Sequence, residues 1–412
     1  MKILAIGDTA DNIYTLKKFL KKSKIHLITF PRKGDALLTN SEEGVEFFDS
    51  LLISKQVKKI ESMKDNFDIC LAISWAGARV AYLAGLNYIM YFVGNDITTP
   101  PFLAKEHIPH LKEPIKKRSF LERRFYKKVF DSAIFCITTS KEYFDCLIKY
   151  RKDGLRIDRV IVDNTFFNEN VIPIKDKKSK FTILSPQRIG IEKGHDIIWK
   201  AIPLCKTDFE ILQMEWFIQN NEEEKKINQE LIDKKPPQVR LIPLVKRKEL
   251  PKYIAFADAV LGQLKTGIQG AIERDSAYCK KPVICYTDPK KPNIIDGKEV
   301  IPPFLPNSNR PEVVAELIDK IIKSEDFRKE LVKKQYEFVC QLCDPEKVVN
   351  DWENIFIKTK EKCKNIHRKQ SFLEKEFEKL ISNILEKMYY KRKMRNKNIK
   401  AWGKEEYEKL SK

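Results

Sequence analysis

Short apolar runs alternate with amphipathic segments along the first part of the chain. The runs are apolar on both faces, which is typical of parallel strands covered by helices on either side. The segments between them carry apolar residues at helical spacing. This alternation predicts a doubly wound α/β domain. The predicted strands are 2–7, 25–30, 67–73, 88–94, 133–139 and 159–164, and the predicted helices are 13–22, 76–85, 116–131 and 141–150.

A polar, lysine-rich segment, PIKDKKSK at 173–180, then interrupts the pattern and predicts a linker. The alternation resumes beyond it and ends near Cys343. The sequence therefore predicts two α/β domains, 1–172 and 181–344, that face one another across a cleft, with ligands bound at the carboxyl ends of the strands. The predicted strands of the second domain are 181–187, 209–214, 239–244, 255–263 and 282–287.

A helix at 345–360 follows the second domain, and residues 361–412 form a basic tail. The tail begins with an amphipathic helix, 371–390, and its segment 387–404 contains eight basic residues and no acidic one. The apolar stripe of this helix suits either an anionic lipid surface or a partner helix. Segment 110–130, also basic and aromatic, is either a solvated helix face or a second lipid-facing surface. The stripe consists of Leu373, Phe377, Leu380, Ile381, Ile384 and Met388.

Composition narrows the class of partner. The 412 residues include 78 Lys and Arg against 58 Asp and Glu, a net charge of +20, which favours nucleic acid, an acidic membrane surface or a phosphorylated ligand. The nine cysteines are scattered and odd in number, which favours a reducing compartment. The first apolar run is too short for a signal peptide, and no run reaches the ~18 apolar residues of a transmembrane helix. We therefore expect a soluble or peripherally bound protein.

Two cations and two glycines mark the junction LSPQRIGIEKGHDII, 184–198. Arg188 and Lys193 lie there, close to Gly190 and Gly194. Amides at a helix start favour an anion, a guanidinium clamps phosphate oxygens, and an ammonium adds a mobile charge. The pattern is typical of a diphosphate site, and a solvated basic loop is the alternative.

A second junction, 257–286, places a glycine-containing loop before a short helix. Gly267 and Gly270 lie in the loop after Gln263, and Asp275 lies on the helix. An acid in this position could hold ribose hydroxyls beside a phosphate site. An ordinary surface carboxylate is the alternative interpretation.

Together these two junctions resemble the donor-binding domain of retaining glycosyltransferases of family 4, which have the GT-B fold. Arg188 and the pair Lys193–Gly194 match the arginine and the lysine–glycine of that family, which implies that both cations contact the donor diphosphate. DSAYCKKPVI matches the family phrase that begins with a ribose-binding glutamate, which places Asp275 at that position. In one branch of the family a strand ends in D-Q and is followed by G-x-x-G, upstream of this acid. Gln263, Gly267 and Gly270 match those positions, which implies that they contact the donor.

The first half resembles the family more weakly. Gly7 follows the first strand where the family has a glycine-rich loop, and YFVGNDI, 91–97, resembles the H-G-x-D segment near the catalytic centre. The resemblance therefore implies that Asp96 lines the catalytic cleft and that Gly7 contacts the donor. CDPEKVVNDWENIF resembles the closing helix that returns to the first domain. The likeness spans roughly 1–358.

The resemblance implies a transfer of sugar from a nucleotide-sugar donor with retention and without a metal or other cofactor. Domain 1–172 would be the acceptor side and domain 181–344 the donor side. The donor diphosphate leaves, steadied by Arg188, Lys193 and helix-start amides. We expect a glycan or lipid-linked acceptor and a cytoplasmic protein, free or peripheral on the inner membrane face. An anionic membrane is a further candidate partner, whereas nothing matches a nucleic-acid recognition module.

Several departures leave alternatives open. The family usually has two glutamates in the pattern E-x7-E. Here Gly267 stands at the first position and Asp275, one methylene shorter, at the second. In addition, Lys280 replaces the glycine before K-P, and Val93 replaces the histidine of H-G-x-D. The amino-terminal loop also lacks its second glycine. A catalytically inactive GT-B scaffold, whose basic tail binds nucleic acid, membrane or a partner protein, is the alternative. An epimerase would need catalytic acids in both domains, and the first half shows no clear set.

Histidines and cysteines offer weaker signals. Cys340-x2-Cys343 with Cys363-x3-His367 has zinc-like spacing, but the first pair flanks an apolar helix, where core cysteines are common. His107-x2-His110 lies in a proline-containing loop, and the sequence places His195 at a cap or at the cleft entrance. We predict no metal site.

Overall fold

The computed structural model describes residues 1–30, 44–50, 52–106, 116–176, 178–217, 222–365 and 372–395. The chain forms two compact units. Of the described residues, those in 1–157 and 346–395 form the first unit, and those in 158–345 form the second.

The first unit is built on a seven-stranded parallel sheet with strand order β3-β2-β1-β4-β5-β8-β9. The central strands are buried on both faces, because every residue of ICLAI and YIMYF is apolar and helices cover both sides. The strands are β1 Lys2–Ile6, β2 Lys24–Thr29, β3 Glu46–Phe47, β4 Ile69–Ile73, β5 Tyr88–Phe92, β6 Lys105–Glu106, β7 Lys116–Lys117, β8 Phe135–Thr138 and β9 Leu155–Arg156. The helices are α1 Asn12–Phe19, α2 Ile53–Met63, α3 Ser74–Leu83, α4 Phe120–Asp131 and α5 Lys141–Ile148.

A glycine sets the distance between α3 and the sheet. A Cβ atom on Gly77 would lie 2.2 Å from the carbonyl oxygen of Ile6, so only glycine allows the helix to approach β1 this closely. The core of this unit forms between the sheet and α2, α3 and α4, and it includes Trp75, Phe92 and Phe130.

The second unit is built on a five-stranded parallel sheet with order β12-β11-β10-β13-β14. The strand order reverses beside β10, which pairs with β11 on one side and β13 on the other. The strands are β10 Phe181–Ser185, β11 Phe209–Met214, β12 Val239–Ile242, β13 Ala259–Leu261, β14 Val283–Ile284 and the antiparallel pair β15 Asn293–Ile295 and β16 Lys298–Val300. The helices are α6 His195–Ala201, α7 Glu222–Asp233, α8 Leu250–Phe256, α9 Ala271–Tyr278, α10 Pro311–Lys323 and α11 Glu325–Leu342.

Two final helices, α12 Pro345–Asn365 and α13 Phe372–Arg395, lie almost entirely in the first unit. On α12, Trp352 packs edge-on against Tyr91 with ring centroids 4.9 Å apart. Glu353 accepts hydrogen bonds from the backbone N–H and the hydroxyl of Ser23. The predicted closing helix therefore does return to the first domain. Within the described ranges, none of the helices combines the length and the apolar character needed to cross a bilayer.

The two predicted doubly wound domains are confirmed, but their predicted boundary is not. Residues 158–172 belong to the second unit, because Val160, Val162 and Phe167 pack into its core. Segment 159–164 is not a strand, and the predicted linker 173–180 lies inside the second unit. The predicted helix 116–131 also begins later, where the Ser119 hydroxyl caps α4 by accepting from the N–H of Glu122.

Candidate functional site

The carboxyl ends of β10 and β13 meet where the strand order of the second unit reverses. The loop after β10 leads into α6, and the loop after β13 leads into α9. The two loops touch, since the N–H of Leu264 donates to the carbonyl of Lys193 at 2.9 Å. Gly194 makes this contact possible: its φ is +87°, and a Cβ atom there would lie 2.9 Å from the Cβ of Leu264. Parallel α/β sheets bind ligands at such a crevice.

Lys193 brings a largely buried ammonium group to this crevice. Burial lowers the pKa of Lys193, nearby Glu273 opposes that shift, and Arg188 adds to it. In the part of the chain that the structure describes, no hydrogen bond or ion pair to the Lys193 ammonium is found. A buried cation in this state favours an anionic ligand, because the ligand would supply the missing charge partner.

Arg188 lies five residues before Lys193, nearer the end of β10, and its side chain is about a quarter exposed. Its Nε is 3.2 Å from Oε1 of Glu192, which fixes the guanidinium beside the loop. Gly190 leaves room for this pair, since a Cβ atom on it would lie 2.4 Å from the Glu192 carboxylate. The structure thus places Arg188, Lys193 and Gly194 in one loop, and their contact with a donor diphosphate stays a prediction.

The helix-start amides are used differently from the prediction. The N–H groups of Lys193 and His195 donate to the carbonyl of Gly190, and that of Gly194 donates to Ile191. Since these three donors are taken within the loop, the cationic groups that remain in it are the side chains of Arg188 and Lys193.

Glu273 is a central residue that the sequence reasoning missed. It is fully buried on α9, and one carboxylate oxygen accepts from the N–H of Gln263 and from Nε2 of Gln187, each at 2.8 Å. The other oxygen accepts from the N–H of Gly270 at 2.8 Å. Glu273 therefore ties both loops to the start of α9. Its position three residues after Gly270 gives only the glutamate half of a capping box, because glycine has no side chain, so the sequence signal for Glu273 was weak.

Asp275 lies two residues further along α9 and makes an internal ion pair. Its carboxylate is 2.7 Å from Nη2 of Arg247, and both side chains are almost fully buried. The Arg247 guanidinium also lies over the ring of Phe167, 4.6 Å from its centroid. Burial raises the pKa of Asp275, and Arg247 opposes that shift. Ribose binding by Asp275 stays a prediction, and it would have to coexist with this pair.

The remaining predicted residues of the second unit shape the loop after β13. The side chain of Gln263 is buried and donates to the carbonyl of Ile268. Gly267 has a φ of +71°, and its carbonyl accepts from the N–H of Asp288 at 3.0 Å. Gly270 precedes α9 as its N-cap. These contacts fix the loop on the side of the crevice opposite Arg188.

His195 is a core residue beneath the loop and not a group at an entrance. It is fully buried, its Nε2 is 3.0 Å from Oε1 of Gln213, and its Nδ1 lies 3.3 Å from both the N and the O of Gly190. Burial lowers the pKa of His195, so the ring is neutral at physiological pH. Its role is to support the turn that carries Lys193.

In the first unit, Gly7 and Asp96 follow β1 and β5. Gly7 has a φ of +90°, and its N–H donates to the carbonyl of Ile28. The neighbouring Asp8 accepts from the N–H groups of Ile13 and Tyr14, each at 3.0 Å. The first turn of α1 is thus capped by the chain's own carboxylate. Donor binding by Gly7 stays a prediction.

Asp96 has an unusual carboxyl group for a loop residue. Burial raises its pKa to about 6, although hydrogen bonds from Ser74 and from nearby amides oppose the shift. Its backbone carbonyl accepts from the indole of Trp75 at 2.8 Å. A carboxyl group that titrates near neutrality can exchange protons with a substrate, which is typical of functional sites.

Asp96→Asn is expected to stabilise the protein more at high than at low pH. The folded state holds the Asp96 proton more tightly than the unfolded state, so stability falls as the pH rises from the unfolded pKa through about 6. The substitution should raise the free energy of unfolding by about 2 kcal/mol near pH 8 and by less than about 1 kcal/mol near pH 4. Chemical denaturation at both pH values measures this, and an equal effect at both would contradict it.

The structure tests metal binding only for the residues that it describes. In the ranges given above, no three His, Cys, Asp or Glu side chains converge as metal ligands. Cys340 and Cys343 lie near the end of α11, whereas His107, His110 and His367 fall outside the described residues. The absence of a metal therefore stays a prediction.

Comparison with known proteins agrees with the fold. Residues 167–338 match the family model described as Glycosyl transferases group 1, which covers most of the second unit. No curated protein sequence gives a significant match. The solved structure of Anabaena HepE with UDP and glucose matches with a TM-score of 0.63 and 14% identity, covering 87% of this chain and 100% of that chain.

Two other structures are similar to the same extent. Sucrose-phosphate synthase from Thermosynechococcus elongatus matches with a TM-score of 0.61 and 14% identity, over 87% of this chain and 99% of that one. A glycosyltransferase from Rickettsia africae matches with a TM-score of 0.59 and 17% identity, over 89% of this chain and 99% of that one. At these identities the likeness concerns the fold, and it confirms the predicted GT-B fold.

Proposed function

We propose that this chain is a GT-B glycosyltransferase that transfers a sugar from a nucleotide-sugar donor to a glycan or lipid-linked acceptor with retention. The family match over 167–338 and the fold shared with HepE, solved with UDP and glucose, support a nucleotide-sugar donor. We further propose a place in the cytoplasm, free or at the inner face of the membrane.

One observation carries this proposal: two cations lie at the strand-order reversal, and the more buried ammonium, that of Lys193, makes no direct ion pair or hydrogen bond among the described residues. A donor diphosphate would supply that partner. When the bond between sugar and diphosphate breaks, negative charge grows on the departing phosphate oxygens. Arg188 and Lys193 would stabilise this charge, so the reaction would need no metal.

The other residues would have supporting roles. The loop of Gln263, Gly267 and Gly270, fixed by Glu273, would form the second wall of the donor site, and Asp275 would lie beneath the ribose. In the first unit, Asp96 would exchange a proton during transfer and Gly7 would contact the donor. The acceptor hydroxyl would attack from the face that the diphosphate leaves, which gives retention.

Arg188→Ala is expected to weaken the binding of a nucleoside diphosphate by about tenfold to a hundredfold, the effect of losing one charged hydrogen-bonding partner. Calorimetric titration of UDP, GDP and ADP against the wild-type protein identifies the base, and the same titration then compares the variants. Lys200→Ala removes one charge from an exposed position on α6 and is the matched control. Equal affinity in Arg188→Ala and wild type would contradict the proposed role.

The inactive scaffold is a second candidate, and two observations favour it. Gly267 stands where the family has its first acid, and Asp275 is engaged by Arg247. A scaffold would bind the nucleoside diphosphate, yet it would neither transfer nor hydrolyse any nucleotide sugar. If its basic tail binds nucleic acid, that binding should fall steeply with salt and disappear when 361–412 is removed.

A further inference from the structure

Helix α13 packs against the first unit with its polar residues inward. Glu378 and Ser382 are buried, and Glu378 forms an ion pair with Lys128 of α4. Glu386 is also buried and accepts from the N–H of Ile53, at the start of α2, at 2.7 Å. Ion pairs and hydrogen bonds thus supply much of the contact that holds this helix in place.

The opposite face of α13 is apolar and exposed. The exposed fractions are 79% for Leu373, 49% for Phe377, 56% for Leu380 and 44% for Ile384. The spacing of four, three and four residues places all of them on one side of a helix. Soluble proteins rarely leave such a continuous stripe in water, and exposed apolar patches of this kind mark interaction sites.

The polar face of α13 points inward and its apolar face outward, whereas the stability of the isolated unit would favour the opposite orientation. Ile381 and Leu385 are the α13 side chains that reach the core of the first unit. Beside them an open groove of about 330 Å³ lies between α2 and α13, lined by residues that include Val57 and Ser382. Turning Phe377 and Leu380 inward would fill space and bury apolar area, so their outward position points to a separate ligand.

The charges around the stripe favour an anionic occupant. The two acids beside it are paired, Glu374 with Lys128 at 3.1 Å and Glu376 with Lys379 at 3.3 Å. Further along the chain, 387–404 has eight basic residues and no acid. Apolar side chains followed by a cationic segment are the pattern of a helix that lies in a membrane interface.

We propose that the outward stripe of α13, Leu373, Phe377, Leu380 and Ile384, docks the first unit on an anionic phospholipid bilayer. The apolar side chains enter the boundary between headgroups and acyl chains, and the basic segment binds the headgroups. Since this surface needs no nucleotide, its test is independent of the proposed donor site.

Vesicle sedimentation of the full-length protein tests the proposal. Wild type is expected to sediment with vesicles that contain phosphatidylglycerol and to stay in solution with pure phosphatidylcholine. A variant with Leu373→Gln, Phe377→Gln, Leu380→Gln and Ile384→Gln should bind the anionic vesicles more weakly than wild type by about tenfold at the least, because it loses the apolar area that enters the bilayer. Glutamine preserves helix propensity, and thermal unfolding checks that the fold is intact.

Ile357→Gln is the matched control, since Ile357 is a single exposed aliphatic residue on α12, 47% exposed. It should bind anionic vesicles as wild type does. Wild-type binding by the four-residue variant would overturn the proposal. A second result would also overturn it: light scattering shows that wild type is a dimer that does not bind vesicles, and that the four-residue variant is a monomer. The stripe would then pair with a second copy of the chain.

Discussion

Lys193→Met is expected to abolish nucleoside diphosphate binding while leaving the unliganded protein at least as stable as wild type. The ammonium is largely buried, and its pKa is lowered because burial disfavours the charged form. Methionine keeps most of the side-chain volume and removes that cost. The lost contact with the diphosphate should weaken binding by about a hundredfold or more, which is ~3 kcal/mol.

Two measurements on the same samples test this prediction. Calorimetry gives the affinity for the nucleoside diphosphate, and denaturant unfolding without ligand gives the stability. Lys200→Met, on the exposed side of α6, should change neither property by much. A Lys193→Met protein that binds normally would contradict the assignment. A protein that has lost both binding and stability would show that the lysine serves the fold.

Asp275→Ala is expected to destabilise the second unit by about 3–5 kcal/mol, because it leaves the buried Arg247 guanidinium without its partner. Replacing both residues, with Arg247→Met added, should cost less than the sum of the single changes. Arg240→Ala is the matched control, since its contacts with Glu210 and Asp176 are half exposed and contribute about 1 kcal/mol or less.

The same variant separates two roles of Asp275. Denaturant unfolding measures stability, and calorimetry under conditions where the variant is folded measures nucleotide binding. If Asp275→Ala unfolds like wild type but binds far more weakly, the carboxylate serves the ligand and not the Arg247 pair. The expected result is a clear loss of stability, and a further loss of affinity in the folded variant would show that the carboxylate also contacts the ribose.

The fold could be predicted because the residues within each strand show by their own apolar character that the strand is buried. The runs ICLAI and YIMYF are short, lie between helical segments and are apolar at every position, which is typical of a parallel strand covered on both faces. The unit boundary could not be placed in the same way. Val160, Val162 and Phe167 carry no mark of the core to which they belong, and the lysine-rich segment 173–180 was a more visible but misleading signal.

The sequence could predict that Arg188 and Lys193 lie near one another at the end of β10, since loop residues next to a strand end are close in both sequence and space. The Arg247–Asp275 pair was not predicted, because Arg247 lies in the loop before α8 and Asp275 lies on α9, and the two meet only in the folded unit. The stripe of α13 was predicted to be apolar and to face either a lipid surface or a partner helix, but not all of its residues were placed correctly. Ile381 was placed in the stripe and instead faces the core, whereas the side chain of Met388 lies outside the described residues.

Hydrogen–deuterium exchange with and without the nucleoside diphosphate that binds tests the central claim most directly, because it locates the site. We predict slower exchange in peptides covering 186–196 and 262–275, the two loops at the ends of β10 and β13. Binding that protects neither loop, or no binding by any of the three nucleoside diphosphates, would contradict a donor site at this crevice.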